Sequence, residues 1–401
     1  MDFASEILSV CRYLPHPGDM NAGLFVQQRI AGMAAVAAVE VLQPVPYLPF
    51  IRPLPTWAAG ANHRSGVLTI QHAPMLYLPG ALKSLDAKWL ARSIRPIVKA
   101  RLATGRSLVL DAHFGYPDGA GCIRLAEEFG LPVFVTVRGM EVDAIRTAGI
   151  GGQLISALNR ATGCISVSRT LLDDLCAHGL RRDHTRVIPN AVDRNIFSPV
   201  NRATARAALG IESGARLIVT IGNLIEGKRH HVLISAVATL LGNHHNMKLV
   251  IIGGPGYEPA YPQRLAAMIR EHGMGSAVTL AGKLPQNVVA NYLRAADVFA
   301  LATAREGCCN AVLEALACGC PVVTTPAGDN TDYVQNGNNG YIVPIDDSAA
   351  TAAALASALG ANWDGTAISA GLRVPDWAGT AHEVLEFMQQ RMRLDPRFSA
   401  Y

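Results

Sequence analysis

Residues 298–324 read VFALATAREGCCNAVLEALACGCPVVT. Val298–Leu301 is a short, unbroken apolar run of strand type. From Asn310 to Cys318 the apolar residues recur at helical spacing, Gly319 closes the stretch, and Pro321–Thr324 is a second strand-type run. Strand, helix and strand in this order form the unit from which parallel sheets are built. The segment between them opens a helix near Cys309, at the end of the first strand. A helix N-terminus concentrates unpaired N–H groups and partial positive charge, a seat suited to a diphosphate.

The same alternation runs outward in both directions. In the second half, Leu217–Ile221, Lys248–Ile252 and Ala277–Leu280 read as strands. Val232–Leu241, Gln263–His272, Val288–Ala295 and the Ala-rich Ser348–Ala361 read as helices. In the first half the strands are Ile7–Tyr13, Val39–Val45, Gly66–Gln71, Leu108–Ala112, Val133–Val137 and Gly163–Val167. Helices are expected at Gly23–Ala35, Ala81–Ile94, Gly119–Phe129 and Leu171–Ala177. The fold class is therefore α/β, with two Rossmann-like, mainly parallel sheets. Their seam is Ile188–Arg202 (IPNAVDRNIFSPVNR), which predicts an N-terminal domain over 1–195 and a C-terminal domain over 196–376. Ligands of such sheets bind at the C-terminal strand ends, so a cleft between the two is where chemistry is expected.

Composition narrows the class. The 401 residues are 50% hydrophobic and 16% charged, which excludes a disordered chain. Lys and Arg total 35 against 31 Asp and Glu, so no global basic field points to nucleic acid. Apolar runs such as Ala31–Val39 fall short of the roughly 18 residues of a membrane span. Met1–Glu6 carries acids where a secretory signal carries bases, which predicts a cytoplasmic protein. The eight cysteines are then expected as buried thiols: neither Cys308/Cys309 nor Cys318/Cys320 has zinc-ligand spacing, and no metal is predicted. His244-His245 is expected on a solvated surface.

Glu306 and Glu314 are separated by seven residues. On a helix their Cα atoms lie on the order of 10–12 Å apart. That exceeds the roughly 5–9.5 Å between the paired acids of a glycosidase. It suits two acceptors gripping opposite ends of an extended ligand, such as the sugar and the ribose of a nucleotide sugar. The plain alternative is one acid favoured by the helix dipole and another on a wet face.

With Ala-Cys-Gly-Cys-Pro-Val-Val-Thr-Thr at 317–325, this pair resembles the signature of glycosyltransferase family 4, retaining nucleotide-sugar transferases of the GT-B type. Further segments agree in order: Ile188–Asp193 with Phe197, Ile221–Lys228, Ile251–Gly256, Ala296-Asp297-Val298 and Asn339–Val343. In the first half, Asp111-Ala112-His113, Tyr116–Gly119 and Arg138–Asp143 resemble acceptor-side motifs of bacterial polysaccharide-assembling members. The resemblance implies that Glu314 binds the ribose and Glu306 the transferred sugar. Backbone amides at Gly307, Cys308, Cys309 and Asn310 hold the distal phosphate and sugar. Gly222 and Asn223 belong to the donor-phosphate loop, Lys228 neutralises the diphosphate with help from Arg229, and main chain near Lys283 and Leu284 meets the base. Gly23 matches a loop glycine beside the phosphates, or else a helix-entry turn. On the acceptor side stand Arg138, Glu141 and Asp143, while His113, at a strand end facing the expected cleft, is a catalytic candidate that hydrogen-bonds the donor sugar or polarises the acceptor. His113 is otherwise a capped core histidine, and Arg138 with Glu141 otherwise a surface ion pair. The amphipathic pattern Ala381–Met392, after Pro375-Asp376-Trp377, is implied to cross back onto the N-terminal domain as a helix over 377–401.

Many members carry Arg where this chain has Asn223, Glu at Asp332, and an aromatic-Pro pair at Cys308-Cys309. The implied function is transfer of a sugar from a nucleoside diphosphate to an acceptor hydroxyl of a glycan or lipid-linked glycan, with no cofactor and no metal. Competing expectations are a catalytically silent nucleotide-sugar binder and a related phosphorylase or epimerase. In Ala81–Arg106 seven bases (Lys83, Lys88, Arg92, Arg95, Lys99, Arg101, Arg106) accompany one acid, Asp86. With Lys88 and Arg92 on one helical face before Pro96 breaks the helix, this stretch is a candidate for peripheral docking on the anionic inner membrane surface, weighed against a solvated face.

Overall fold

The computed structural model describes residues 5–60, 62–242 and 246–398. His244-His245 and the first four residues lie outside them. The chain forms two units, Met1–Ala191 with Pro375–Tyr401 and Val192–Val374, and the division falls inside the proline-bearing seam.

The first unit carries an eight-stranded sheet in the order β3-β4-β2-β1-β5-β6-β7-β8. The strands are β1 (Glu6–Val10), β2 (Val39–Tyr47), β3 (Asn62–Ser65), β4 (Leu68–Leu76), β5 (Leu108–His113), β6 (Val133–Val137), β7 (Gly163–Ser166) and β8 (Thr185–Val187). All pairings are parallel except β3 with β4. Every residue of β1, β5, β6 and β7 is buried, which is why these strands read as continuous apolar runs rather than alternating ones. The helix Trp377–Leu394 completes this unit. Its Ala381, Val384, Leu385, Phe387, Met388 and Met392 pack with Ile7, Met33, Val109, Phe134 and Ile165, the stripe a 3.6-residue period produces. Asp376 caps its start by accepting from the Gly379 N–H at 2.7 Å.

The second unit has six parallel strands in the order β11-β10-β9-β12-β13-β14: β9 (Arg216–Ile221), β10 (Met247–Ile252), β11 (Val278–Gly282), β12 (Val298–Leu301), β13 (Val322–Thr324) and β14 (Gly340–Ile342). Successive residues alternate between two cores. Leu217, Val219, Val250, Ile252, Phe299 and Leu301 enter one; Ile218, Leu249, Ile251, Val298 and Ala300 enter the other. Cys309, Cys318 and Cys320 are small buried members of the first core, and burial pushes the Cys318 thiol up to about 12.

Pro96 does not break its helix, which runs Asp86–Leu102 with the proline inside. Both Pro96 and Arg92 are exposed, so the carbonyl left without a donor faces water. Four of the seven bases are paired with acids of the same unit. Lys83 lies 4.0 Å from Asp86 and Arg106 3.4 Å from Glu6, while Arg95 meets Glu128 and Arg101 meets Glu40. The stretch is far less cationic than its composition predicts. Among the described residues, no helix is long and apolar enough to cross a membrane.

Candidate active site

At the C-terminal ends of β9 and β10, two glycine-bearing turns lie against each other. The Gly222 N–H donates to the Ile252 carbonyl at 2.9 Å and the Leu224 N–H to the Gly254 carbonyl at 2.7 Å. A Cβ on Gly253 would stand 1.9 Å from the Gly222 carbonyl oxygen, so only glycine permits this approach. Lysine side chains lie across the neighbouring glycines. A Cβ on Gly222 would meet Lys228 Cδ at 3.3 Å, and one on Gly254 would meet Lys283 Cε at 2.6 Å.

Lys228 closes the short turn Glu226–Lys228 and its Nζ donates to Glu306 Oε1, on the loop that follows β12. The two loops are also tied through main chain, with the Ala304 N–H and the Thr303 hydroxyl both donating to the Gly227 carbonyl, at 2.9 and 3.2 Å. Cys309 caps the helix Asn310–Ala317 and its thiol faces the Ala327 carbonyl at 3.6 Å. The Asn310 N–H is bonded to the Cys308 carbonyl at 2.8 Å. Glu314, partly buried on this helix, meets no hydrogen-bond donor or cation among the described residues at its carboxyl group. Burial raises its pKa to about 8, so it holds a proton at neutral pH.

A second polar cluster occupies the ends of β1, β5 and β6 in the first unit. His113 is fully buried. Arg138 Nη2 donates to its Nδ1 at 3.1 Å, so the ring proton sits on Nε2, which faces Ser9 Oγ at 2.9 Å and Asp111 Oδ2 at 3.2 Å. Burial holds the His113 pKa down at about 4, and the ring is neutral. Burial alone would raise the Asp111 carboxyl, but His113, Arg29 and Ser9 together hold it well below the usual carboxylate range. Arg29 spans Asp111 Oδ1, at 3.4 Å, and the Thr136 hydroxyl. Arg138 Nη1 donates to Asn190 Oδ1 at 2.9 Å.

Two family models match this chain. "Glycosyl transferases group 1" matches residues 201–363 and "Glycosyltransferase Family 4" matches residues 53–195. The chain belongs to glycosyltransferase family 4. It is 32% identical over 215 residues to a D-inositol 3-phosphate glycosyltransferase of Acidothermus cellulolyticus, across 52% of this chain and 47% of that one. It is 28% identical over 301 residues to one from Thermobispora bispora, across 70% of this chain and 68% of that one. The match to the first of these relatives spans about half its length. In fold the chain is similar to a sucrose-phosphate synthase from Thermosynechococcus elongatus, with TM-score 0.73 at 20% identity over 97% and 98% of the two chains. It is similar also to Anabaena HepE in complex with UDP-glucose, with TM-score 0.69 at 18% identity over 97% and 98%. The architecture is GT-B.

For this family-4 chain, folding brings Lys228, Glu306, Gly222 and the Cys309 cap together, although 78 positions separate Lys228 from Glu306. His113 and Arg138 also meet. Glu141 joins them through the backbone rather than as an ion pair: buried, it accepts from the N–H groups of Gly115 at 2.6 Å and of Arg138 and Gly139 at 2.9 Å. Asp143 stays exposed. Arg229 is turned toward Asp346, 2.7 Å away, and Glu226, 3.2 Å away. Gly23 enters its helix at φ 58°, where a Cβ would lie 2.0 Å from the Tyr13 carbonyl oxygen, a structural reason for glycine that needs no ligand. Ser9, Arg29 and Thr136 escaped the sequence reading, and Asn190 entered it only within Ile188–Asp193, with no role of its own. The signal was there for two of them, since Ser9 interrupts the apolar run of β1 and Arg29 sits within an otherwise uncharged helix.

Proposed function

We propose that this chain is a retaining glycosyltransferase that moves a sugar from a nucleoside diphosphate to an acceptor hydroxyl. The observation that carries the reading is the Lys228–Glu306 pair at strand ends where glycines let two turns approach closely, with a Glu314 carboxyl on the adjoining helix that meets no partner among the described residues. Glu314 accepts from the ribose hydroxyls and gives up its proton as they bind. Lys228 exchanges part of its contact with Glu306 for the diphosphate, and Glu306 accepts from the sugar hydroxyls so released. As the bond from the anomeric carbon to the phosphate oxygen breaks, charge grows on the diphosphate, where an ammonium is most effective. The acceptor oxygen bonds to the anomeric carbon on the same face, and its proton passes to the departing phosphate oxygen. Lys228 carries the leaving charge, so transfer proceeds without a divalent metal.

On the first unit, His113 has both ring nitrogens engaged and acts as a positioning residue that aims Arg138. The acceptor is a hydroxyl of a glycan or lipid-linked glycan of the bacterial surface. The relatives named for D-inositol 3-phosphate favour a second reading, a phosphorylated polyol, and it belongs in the same acceptor panel. Solved neighbours in complex with UDP and with UDP-glucose make uridine diphosphate sugars the first donors to test. Free nucleoside diphosphate released only when acceptor is present, undiminished by a chelator, is the expected result. Tight donor binding with no release under any acceptor would leave a silent sugar-nucleotide binder instead.

A further inference from the structure

The loop that follows β2 closes on itself. The Leu48 N–H donates to the Arg52 carbonyl at 2.7 Å and the Arg52 N–H to the Leu48 carbonyl at 2.8 Å. The turn between them projects Phe50 wholly into solvent, at 103% exposure, with Ile51 at 77%. Leu82, 56% exposed, belongs to the same edge, because Arg52 and its neighbour Lys83 both lie over the Tyr77 ring, 5.7 and 3.5 Å from its centroid.

Two features separate this edge from ordinary exposed apolar surface. Phe50 and Leu82 both adopt left-handed backbone, with φ 67° and 51°, a conformation that bulky side chains rarely accept. Strained backbone here presents apolar groups to water, which runs against burial unless something apolar receives them. Charge is equally one-sided. Between Glu40 and Asp86 the chain contains no aspartate or glutamate, and Arg52 stands exposed beside Phe50 and Ile51.

We propose that this edge inserts into an anionic lipid bilayer, with Phe50, Ile51 and Leu82 at the boundary between headgroups and acyl chains and the exposed Arg52 among the lipid phosphates. A second copy of this chain fits less well, since a symmetric contact would set an acid-free, basic edge against itself. The stretch 81–106 contributes little by comparison, because Lys83, Arg95, Arg101 and Arg106 are already paired with acids.

The test is co-sedimentation of the full chain with phosphatidylcholine vesicles made with and without phosphatidylglycerol. Wild type should pellet only with the anionic vesicles and less as salt is added. F50S/I51S should bind at least tenfold more weakly, while K88Q/R92Q changes binding less than threefold. The variant F50W should gain fluorescence quenching by lipids brominated on their acyl chains, beyond that of wild type. Wild-type binding by F50S/I51S, or no added quenching in F50W, overturns the proposal. So does a dimer that F50S/I51S dissociates with vesicle binding unchanged. None of these readouts depends on sugar transfer, and donor-induced thermal stabilisation should be the same in wild type and F50S/I51S.

Discussion

Replacing Glu314 by glutamine removes an acid that the folded chain keeps protonated. An ordinary glutamate ionises near 4.5 and Glu314 at about 8. Below pH 4.5 folded and unfolded chains both hold the proton. Between 4.5 and 8 the unfolded chain has lost it while the folded chain retains it, so stability falls as pH rises across that window and levels off above 8. At 1.36 kcal/mol per pH unit, the loss accumulated by pH 7 is about 3 kcal/mol. Glutamine keeps the shape and has nothing to ionise. Urea unfolding at pH 5 and pH 7.5 should therefore separate the two proteins: within about 1 kcal/mol at pH 5, with Glu314→Gln more stable by about 4 kcal/mol at pH 7.5. Donor binding should move in the opposite sense, because the amide offers the ribose hydroxyls a weaker acceptor than a carboxylate. Wild type should also release close to one proton on binding donor at pH 7, seen by calorimetry as a heat that depends on the buffer's ionisation enthalpy. Parallel stability profiles for the two proteins between pH 5 and 8 would refute the protonated carboxyl. Unchanged donor affinity in Glu314→Gln would refute its contact with the ribose.

Lys228→Ala and Glu306→Ala should each lower transfer by orders of magnitude in a nucleoside-diphosphate release assay; near wild-type turnover in both would sink the proposed reaction. Gly253→Ala forces a Cβ to within 1.9 Å of the Gly222 carbonyl oxygen, so it should part the ends of β9 and β10 and abolish donor-induced thermal stabilisation, which an unaltered thermal shift would contradict. Truncation at Pro375 removes the apolar stripe that includes Val384, Leu385, Phe387 and Met388. At about 1.5–3 kcal/mol per buried side chain, the first unit should lose its cooperative melt; a melting temperature equal to wild type would show that the helix contributes nothing.

The sequence by itself determined the architecture and the order of its parts. Strands buried on both faces are unbroken apolar runs, as in Val133–Val137 and Val298–Leu301, and runs of that kind need no partner to be recognised. The 305–319 signature and the segments around it were also local, and they marked where the diphosphate chemistry would be sought. Short edge strands such as β3, β8 and β14 carry three or four residues and show no period, so only pairing with a neighbour makes them strands. Pro96 argued against a helix that packing and a solvent-facing carbonyl allow. The bases of 81–106 looked like one cationic surface until folding supplied Glu6, Glu40 and Glu128 from distant strands and helices. Tertiary structure alone joined Lys228 to Glu306, gave His113 its tautomer through Arg138, and left the Glu314 carboxyl without a partner among the described residues. Each of those outcomes depends on which groups share a low-dielectric space, and that is fixed by the path of the chain rather than by the spacing of residues along it.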